Sequence, residues 1–257
     1  MRSLRIFLFL PLLVFSKTAP WSAGTAATIP AHRVEVGLFQ PLCYGLTESV
    51  ELSTFPLVNV LMPNLGLKKA WPDKGRLLLA SEHSITCPTP LLRTLARDGA
   101  GGLLPSDAVV PVILTVKNQA LVTKEWNNGF SLTGKAGIVL AARFGDMNMP
   151  TIDYANIFPR TAVYHSGYIV NAGVDFNGVI RGPFAFLLDA DLFLTGLDDG
   201  AYAIEHKGLF IWNKSHRFRT CAGYKVIFGE YPFGTQLDVM PFYPLPVPVF
   251  DLQWGFR

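Results

Sequence analysis

The chain has 257 residues, half of them hydrophobic and only 16% charged, with a mean hydropathy of +0.30 and a formal net charge of +3. Disordered chains are poor in apolar residues, which excludes disorder. Soluble domains carry about a quarter charged residues, so this surface is not an ordinary soluble one.

The first segment reads as a leader. Arg2 and Arg5 precede an apolar run from Ile6 to Phe15, interrupted by Pro11, and small residues follow from Ser22 to Ala26. A basic start, a short apolar stretch and a small-residue exit are the parts of a secretory signal peptide. The run is too short to span a bilayer as a helix, and no run of roughly 20 apolar residues follows it. Cleavage is expected after Ala23 or Ala26. This gives a signal peptide at 1–26 and one mature domain at 27–257. Losing Arg2, Arg5 and Lys17 lowers the basic count from 22 to 19, equal to the 19 acids. No basic arm then remains to argue for nucleic acid.

The mature chain has a period of two. Weak alternation at 33–39, 49–55, 64–71, 75–85 and 108–125 is followed by clearer cases. In 131–143, Leu132, Ala136, Ile138, Leu140 and Ala142 oppose Ser131, Thr133, Lys135 and Arg143. In 162–177, Tyr164, Tyr168, Val170, Val174 and Phe176 oppose His165, Asn171, Asp175 and Asn177. In 180–194 every charge is odd-numbered: Arg181, Asp189 and Asp191. Segments 201–213 and 216–228 keep Tyr202, Phe210, Trp212, Phe218 and Phe228 apart from Glu205, Lys207, Arg217, Arg219 and Lys225. Successive side chains of a strand point to opposite faces, so this is the pattern of strands between two solvents. Turns are expected at 45–49, 72–75, Asn127-Asn128-Gly129, Asn177-Gly178, Asp198-Asp199-Gly200 and Asn213-Lys214-Ser215. Stretches 86–107 and 144–159 read as irregular. Pro241, Pro244, Pro246 and Pro248 suit rims and strand ends.

Two architectures give such strands. A soluble sandwich packs its apolar faces together. A transmembrane barrel turns them to lipid and its polar faces inward. The length of 162–176, 180–194 and 216–228 suits a tilted membrane strand of at least 9–11 residues. Aromatic residues recur near strand ends, where bilayer interfaces lie. The expected fold is all-β, an antiparallel transmembrane β-barrel of roughly 10 to 12 strands.

The final Phe250, Leu252, Trp254 and Phe256, alternating with Asp251, Gln253, Gly255 and Arg257, resemble the C-terminal assembly strand of bacterial outer-membrane β-barrel proteins. That signal typically ends on the aromatic residue, whereas Arg257 follows here. Tyr44 to Leu52 also resembles a turn common in such proteins. The resemblance implies a Gram-negative outer membrane, contact with its lipid, and insertion by the barrel assembly machinery. It names no particular transporter or enzyme.

In such a barrel Arg181, Asp189, Asp191, Glu205, Lys207, Arg217, Arg219 and Lys225 line the lumen. They form either a rigidifying ion-pair network or a polar path for a small solute. The alternatives are a lipid-modifying hydrolase and a soluble exported β-sandwich that binds a partner. For hydrolysis, His165 and Ser166 would face opposite sides of one strand, and Ser166 and His206 would stand about 9.6 Å apart. Ser81 and His83 share a face with no orienting acid. No Gly-x-Ser-x-Gly occurs. Asp189-Ala190-Asp191 is too few oxygens for Ca²⁺. Cys43, Cys87 and Cys221 are odd in number and lack zinc spacing. The reading is therefore non-enzymatic, without metal or cofactor, and porin-like or structural.

Overall fold

The computed structural model describes residues 21–72, 77–97, 104–148, 157–196, 201–229 and 246–257. The alternating segments become strands because one parity is apolar and the other is polar or small. Low strands come first: β1 (Val34–Gly37), β2 (Leu42–Thr47), β3 (Val50–Thr54) and β4 (Asn64–Trp71). β5 (Leu77–Thr86) leads through α1 (Thr89–Leu95) to β6 (Val112–Glu125) and β7 (Phe130–Phe144). Two single helical turns, α2 (Phe158–Thr161) and α3 (Val163–Ser166), precede β8 (Tyr168–Arg181). β9 (Phe184–Gly196), β10 (Ala201–Ser215), β11 (Phe218–Gly229) and β12 (Val247–Phe256) complete the set.

Each strand pairs antiparallel with its sequence neighbours, and β1 pairs with β12 to close a barrel of twelve strands among the described residues. The closing register sets Val34 opposite Phe256 and Gly37 opposite Gln253. Closure leaves no sheet edge. The sheet returns onto itself, so the two-sheet sandwich is not the fold.

Parity sets the two faces. Ile113, Thr115, Gln119, Leu121, Thr123, Thr133, Asn171, Asp175, Asp189 and Glu205 are buried inside, whereas Leu114, Val116, Val122, Leu132, Ile138, Leu140, Val174, Leu188 and Leu192 are exposed outside. One rim holds the tight hairpins at 48–49, 126–129, 182–183 and 216–217, together with Arg257. Gly182 there adopts φ +56, a left-handed conformation that costs other residues more. Outward rings crowd this rim. Phe130 and Phe176 lie 5.7 Å apart, Phe184 and Phe210 5.5 Å, and Phe218 and Trp254 5.8 Å. The opposite rim carries 55–63 and the described parts of the longer links 87–111 and 145–167.

The wall is uneven. β6 to β11 have 12 to 15 residues each. β1 to β4 have 4, 6, 5 and 8. At about 3.3 Å per residue and a tilt near 40°, the tall wall rises roughly 30–38 Å and the low wall roughly 10–20 Å.

Four expectations need correction. Asn213, Lys214 and Ser215, expected as a turn, end β10, and the turn falls at 216–217. Residues 162–166 are helical: the strand begins at Tyr168, after Gly167 ends α3 with φ +82. Asn177 and Gly178 lie within β8, and the turn falls at 182–183. Residues 45–47, expected as part of a turn at 45–49, belong to β2, and the turn narrows to 48–49. The expected turn at 72–75 beyond Pro72, the expected Asp198-Asp199-Gly200 turn, and Pro241 and Pro244 fall outside the described residues.

Candidate functional site

An ion-pair belt crosses the inside of the tall wall. Lys135 on β7 reaches Asp175 Oδ1 at 2.7 Å, Asp189 Oδ1 at 2.9 Å and Asp191 Oδ1 at 2.8 Å. The register explains the reach. Lys135 pairs with Gly173, and Gly173 with Asp191. A Cβ at Gly173 would come 1.9 Å from Asp191 Oδ1, so glycine leaves the gap through which lysine and aspartate meet. Lys207 Nζ sits 2.8 Å from Asp189 Oδ2, and Lys225 Nζ 2.8 Å from Glu205 Oε2. Arg160 of α2 descends from the opposite rim and grips both Glu205 oxygens.

The pattern has to be a network. Directly opposite pairs include Asp175 with Asp189, Asp191 with Glu205, and Lys207 with Lys225. Like charges opposite one another are destabilising. Here cations bridge them: Lys135 binds three aspartates, while Lys225 and Arg160 both bind Glu205. Four carboxylates thus meet four cations, and each buried charge has a partner, which its desolvation requires.

The low wall is filled differently. Residues 21–32 form a strap inside the barrel, with Ser22, Ala26 and Ile29 buried. The Ala26 amide donates to Thr123 Oγ1 at 2.8 Å, and the Ile29 amide to Glu51 Oε2 at 3.1 Å. Lys68 donates to the carbonyls of Ser22 (2.9 Å) and Thr25 (3.3 Å), with Glu51 Oε2 3.7 Å away. Trp21 lies under two guanidinium groups, Arg219 at 4.2 Å and Arg33 at 5.4 Å from its ring centre. Arg33 in turn pairs with Glu35 at 2.8 Å. At the other rim a cap of Leu92, Leu104, Val110, Ala162, Val163 and Tyr164 packs on Ile113, Ile169 and Phe193. Burial pushes the Tyr164 hydroxyl up to about 12.

The structure brings five of the eight expected residues into the belt: Asp189, Asp191, Glu205, Lys207 and Lys225. Arg219 joins the Trp21 group at the hairpin rim, where its Nε donates to Gln253 Oε1. Arg181 and Arg217 are exposed at the hairpins, because both strands end there. Lys135, Asp175 and Arg160 are the additions. Parity marks the first two as inward-facing; nothing local in the sequence marks Arg160, which arrives from a loop. Phe250, Leu252, Trp254 and Phe256 share the outward face of β12 beside the closing seam. The expected leader is described only from residue 21, and its last six residues lie within the strap.

The serine and histidine candidates are engaged elsewhere. Ser166 Oγ contacts the carbonyls of Ala162 (3.0 Å) and Tyr168 (2.7 Å). Ser81 accepts from Trp71 Nε1, and His83 pairs with Asn118. His206 contacts the Asp189 carbonyl and the Tyr224 hydroxyl. His165 and Ser166 belong to α3, not to a strand.

No family model matches the chain. Over 159 residues it is 27% identical to 1-deoxy-D-xylulose 5-phosphate reductoisomerase of Dechloromonas aromatica (strain RCB), covering 58% of this chain and 38% of that enzyme. The chain therefore spans well under half of that relative's length. Among solved structures it is similar to the outer membrane channel DcaP of Acinetobacter baumannii, with 10% identity and a TM-score of 0.39 over 94% of this chain and 68% of that one. At these levels neither likeness assigns an activity. The architecture itself, a closed antiparallel barrel with an even strand number, resembles that of outer-membrane β-barrel proteins.

Proposed function

We propose that this chain is a non-enzymatic barrel of the Gram-negative outer membrane. Its lumen is closed at rest and passes only small ions or solutes. The carrying observation is the pairing of two opposite surfaces on one closed sheet: large apolar side chains exposed outside, and buried charges inside. In water the outer face would be a very large exposed apolar patch, which soluble monomers avoid. In a bilayer it faces acyl chains, and closure satisfies the strand backbone.

Tight hairpins at the rim with Arg257 and longer links at the other match short periplasmic turns and long external loops. On this reading the strap lies on the periplasmic side. The leader would export the chain, cleavage ahead of Trp21 rather than after Ala23 or Ala26 would leave the strap on the mature protein, and the outward aromatic face of β12 would serve assembly. The strap and the ion-pair belt leave a constricted interior. Lys117 and Glu82, 3.3 Å apart and about one-third exposed, offer its more accessible side. Charged groups at such a constriction set which ions enter.

The test is fractionation followed by planar-bilayer recording. The expected result is a heat-modifiable outer-membrane band with small single-channel conductance. Conductance should rise sharply in a variant lacking residues 21–32. A soluble periplasmic protein overturns the membrane reading. Equal conductance with and without the strap overturns the closed-lumen reading.

A further inference from the structure

The low wall poses a problem for any barrel in a membrane. Its strands rise roughly 10–20 Å, whereas the apolar band of an outer-membrane barrel is about 25 Å tall. Strands alone leave a gap of several ångströms above β1 to β4. Two links sit over that gap, 38–41 and 55–63.

Both links are apolar and exposed. Leu57 is 79% exposed, Val60 86% and Phe39 74%, and Leu38, Phe55 and Leu61 are exposed as well. Neither 36–47 nor 52–67 contains a single Asp, Glu, Lys or Arg. The links over the taller wall differ: the described parts of 87–111 and 145–167 carry Arg93, Arg97, Asp107, Asp146 and Arg160.

The backbone of these links is also prepared for a solvent that offers no hydrogen bonds. Residues 55–62 coil into a helical turn. Val58 N donates to Phe55 O at 3.2 Å, and Leu61 N and Met62 N donate to Val58 O at 3.0 and 2.6 Å. Asn64 closes the loop: its Oδ1 accepts from Phe55 N at 2.8 Å, and its Nδ2 donates to Met62 O at 2.8 Å. Asn59 Oδ1 accepts from Asn64 N at 2.8 Å. In the other link, Leu38 N donates to Leu252 O at 3.1 Å and Phe39 N to Asp251 Oδ1 at 3.0 Å. Backbone at membrane depth needs such internal partners. A water-exposed loop does not.

We propose that Leu38, Phe39, Phe55, Leu57, Val60 and Leu61 form the upper part of the lipid-facing belt on the low wall, immersed among acyl chains of the outer leaflet. This rests on the membrane reading above. The loops replace the missing strand height, and their apolar surface is continuous with Leu65 and Leu67 on β4, which are exposed on the same outer face.

Photocrosslinking tests it in the full chain. Leu57→p-benzoylphenylalanine is compared with the same replacement at Leu140, exposed on the tall wall, and at Asp107, exposed in a charged link. Val60→p-benzoylphenylalanine is the second probe of the loop should Leu57 prove intolerant. Each variant is reconstituted in dilauroyl-phosphatidylcholine vesicles and checked for the heat-dependent gel shift. It is then irradiated and weighed intact after delipidation. The expected result is a mass gain of one phosphatidylcholine at 57 and 140 in comparable yield, and none at 107. Adducts at 140 but not at 57 or 60 overturn the proposal. So does a chain-to-chain product at 57, which would identify a second copy as the occupant. So do equal adducts at all three sites. Absence of adducts at both 57 and 140 removes the membrane reading itself, and the proposal falls with it.

Discussion

The tall and low walls handle interior charge in opposite ways. On the tall wall, side chains satisfy side chains: Lys135, Lys207, Lys225 and Arg160 bind Asp175, Asp189, Asp191 and Glu205 across neighbouring strands. On the low wall, the strands are too short to bring many charges together. Glu51 and Lys68 are completed instead by the strap backbone, through Ile29 N, Ser22 O and Thr25 O. Strand length therefore decides whether a barrel can close its interior with its own wall or must draw in another part of the chain. The outer surfaces divide in the same way, by strands on one side and by folded loops on the other.

The sharpest way to break the contrast is at Lys135. Lys135→Met keeps most of the length of the side chain and removes the charge shared by three aspartates. Breaking a buried ion pair costs about 3–5 kcal/mol, because an uncompensated charge stays behind. We expect a loss of that order in urea unfolding from vesicles, read by the heat-dependent gel shift. Asp175→Asn added to Lys135→Met should restore part of it, since the Asp175–Asp189 repulsion is then removed. If Lys135→Met costs no more than a surface substitution, the belt is not what holds the tall wall.

Parity made much of this legible beforehand. Segment 201–213 already separated Glu205 and Lys207 from Phe210 and Trp212, and that division is the one between lumen and exterior. Parity failed where it was carried past the end of a strand. Tyr164 and Tyr168 share a parity, but a left-handed Gly167 lies between them and turns the first into a helical cap. The same overreach assigned Arg181 and Arg217 to the lumen, although both lie at hairpins where alternation no longer fixes a face. The strap was hidden for a different reason. Small residues from Ser22 to Ala26 read as a leader exit, and the same small, uncharged character lets them pack inside a barrel beside Thr123. Strand height was not legible either, because weak alternation at 33–39 and 49–55 gave no sign that these strands would stay short.

The outer faces offer the next comparison. Ile138 lies mid-strand on the exposed side of β7. Ile138→Arg should cost about 2–4 kcal/mol, the expected penalty for arginine at the bilayer midplane, whereas Leu57→Arg near the upper interface should cost about 0–1 kcal/mol. Both are read from urea midpoints of vesicle-inserted protein. Equal penalties would place the two side chains at one depth and erase the difference between the walls.

A smaller effect than at Lys135 or Ile138 is expected inside the low wall, from Glu51→Gln. Glu51→Gln keeps an oxygen that can accept from Ile29 N, and removes the charge that stands 3.7 Å from Lys68 Nζ. Lys68 keeps the Ser22 and Thr25 carbonyls, so its ammonium remains solvated by backbone. The net loss should therefore be about 1 kcal/mol, that of an ordinary hydrogen bond weakened but not orphaned. Glu51→Leu differs in one respect, since it leaves the Ile29 amide without its acceptor in a buried place. An unsatisfied buried donor costs about 1–3 kcal/mol. If the strap is held as this geometry indicates, Glu51→Leu should loosen it and raise bilayer conductance, while Glu51→Gln leaves conductance near that of the parent. Equal conductance in the two variants would mean that the carboxylate's acceptor oxygen is irrelevant to the strap, and that Lys68 alone anchors it.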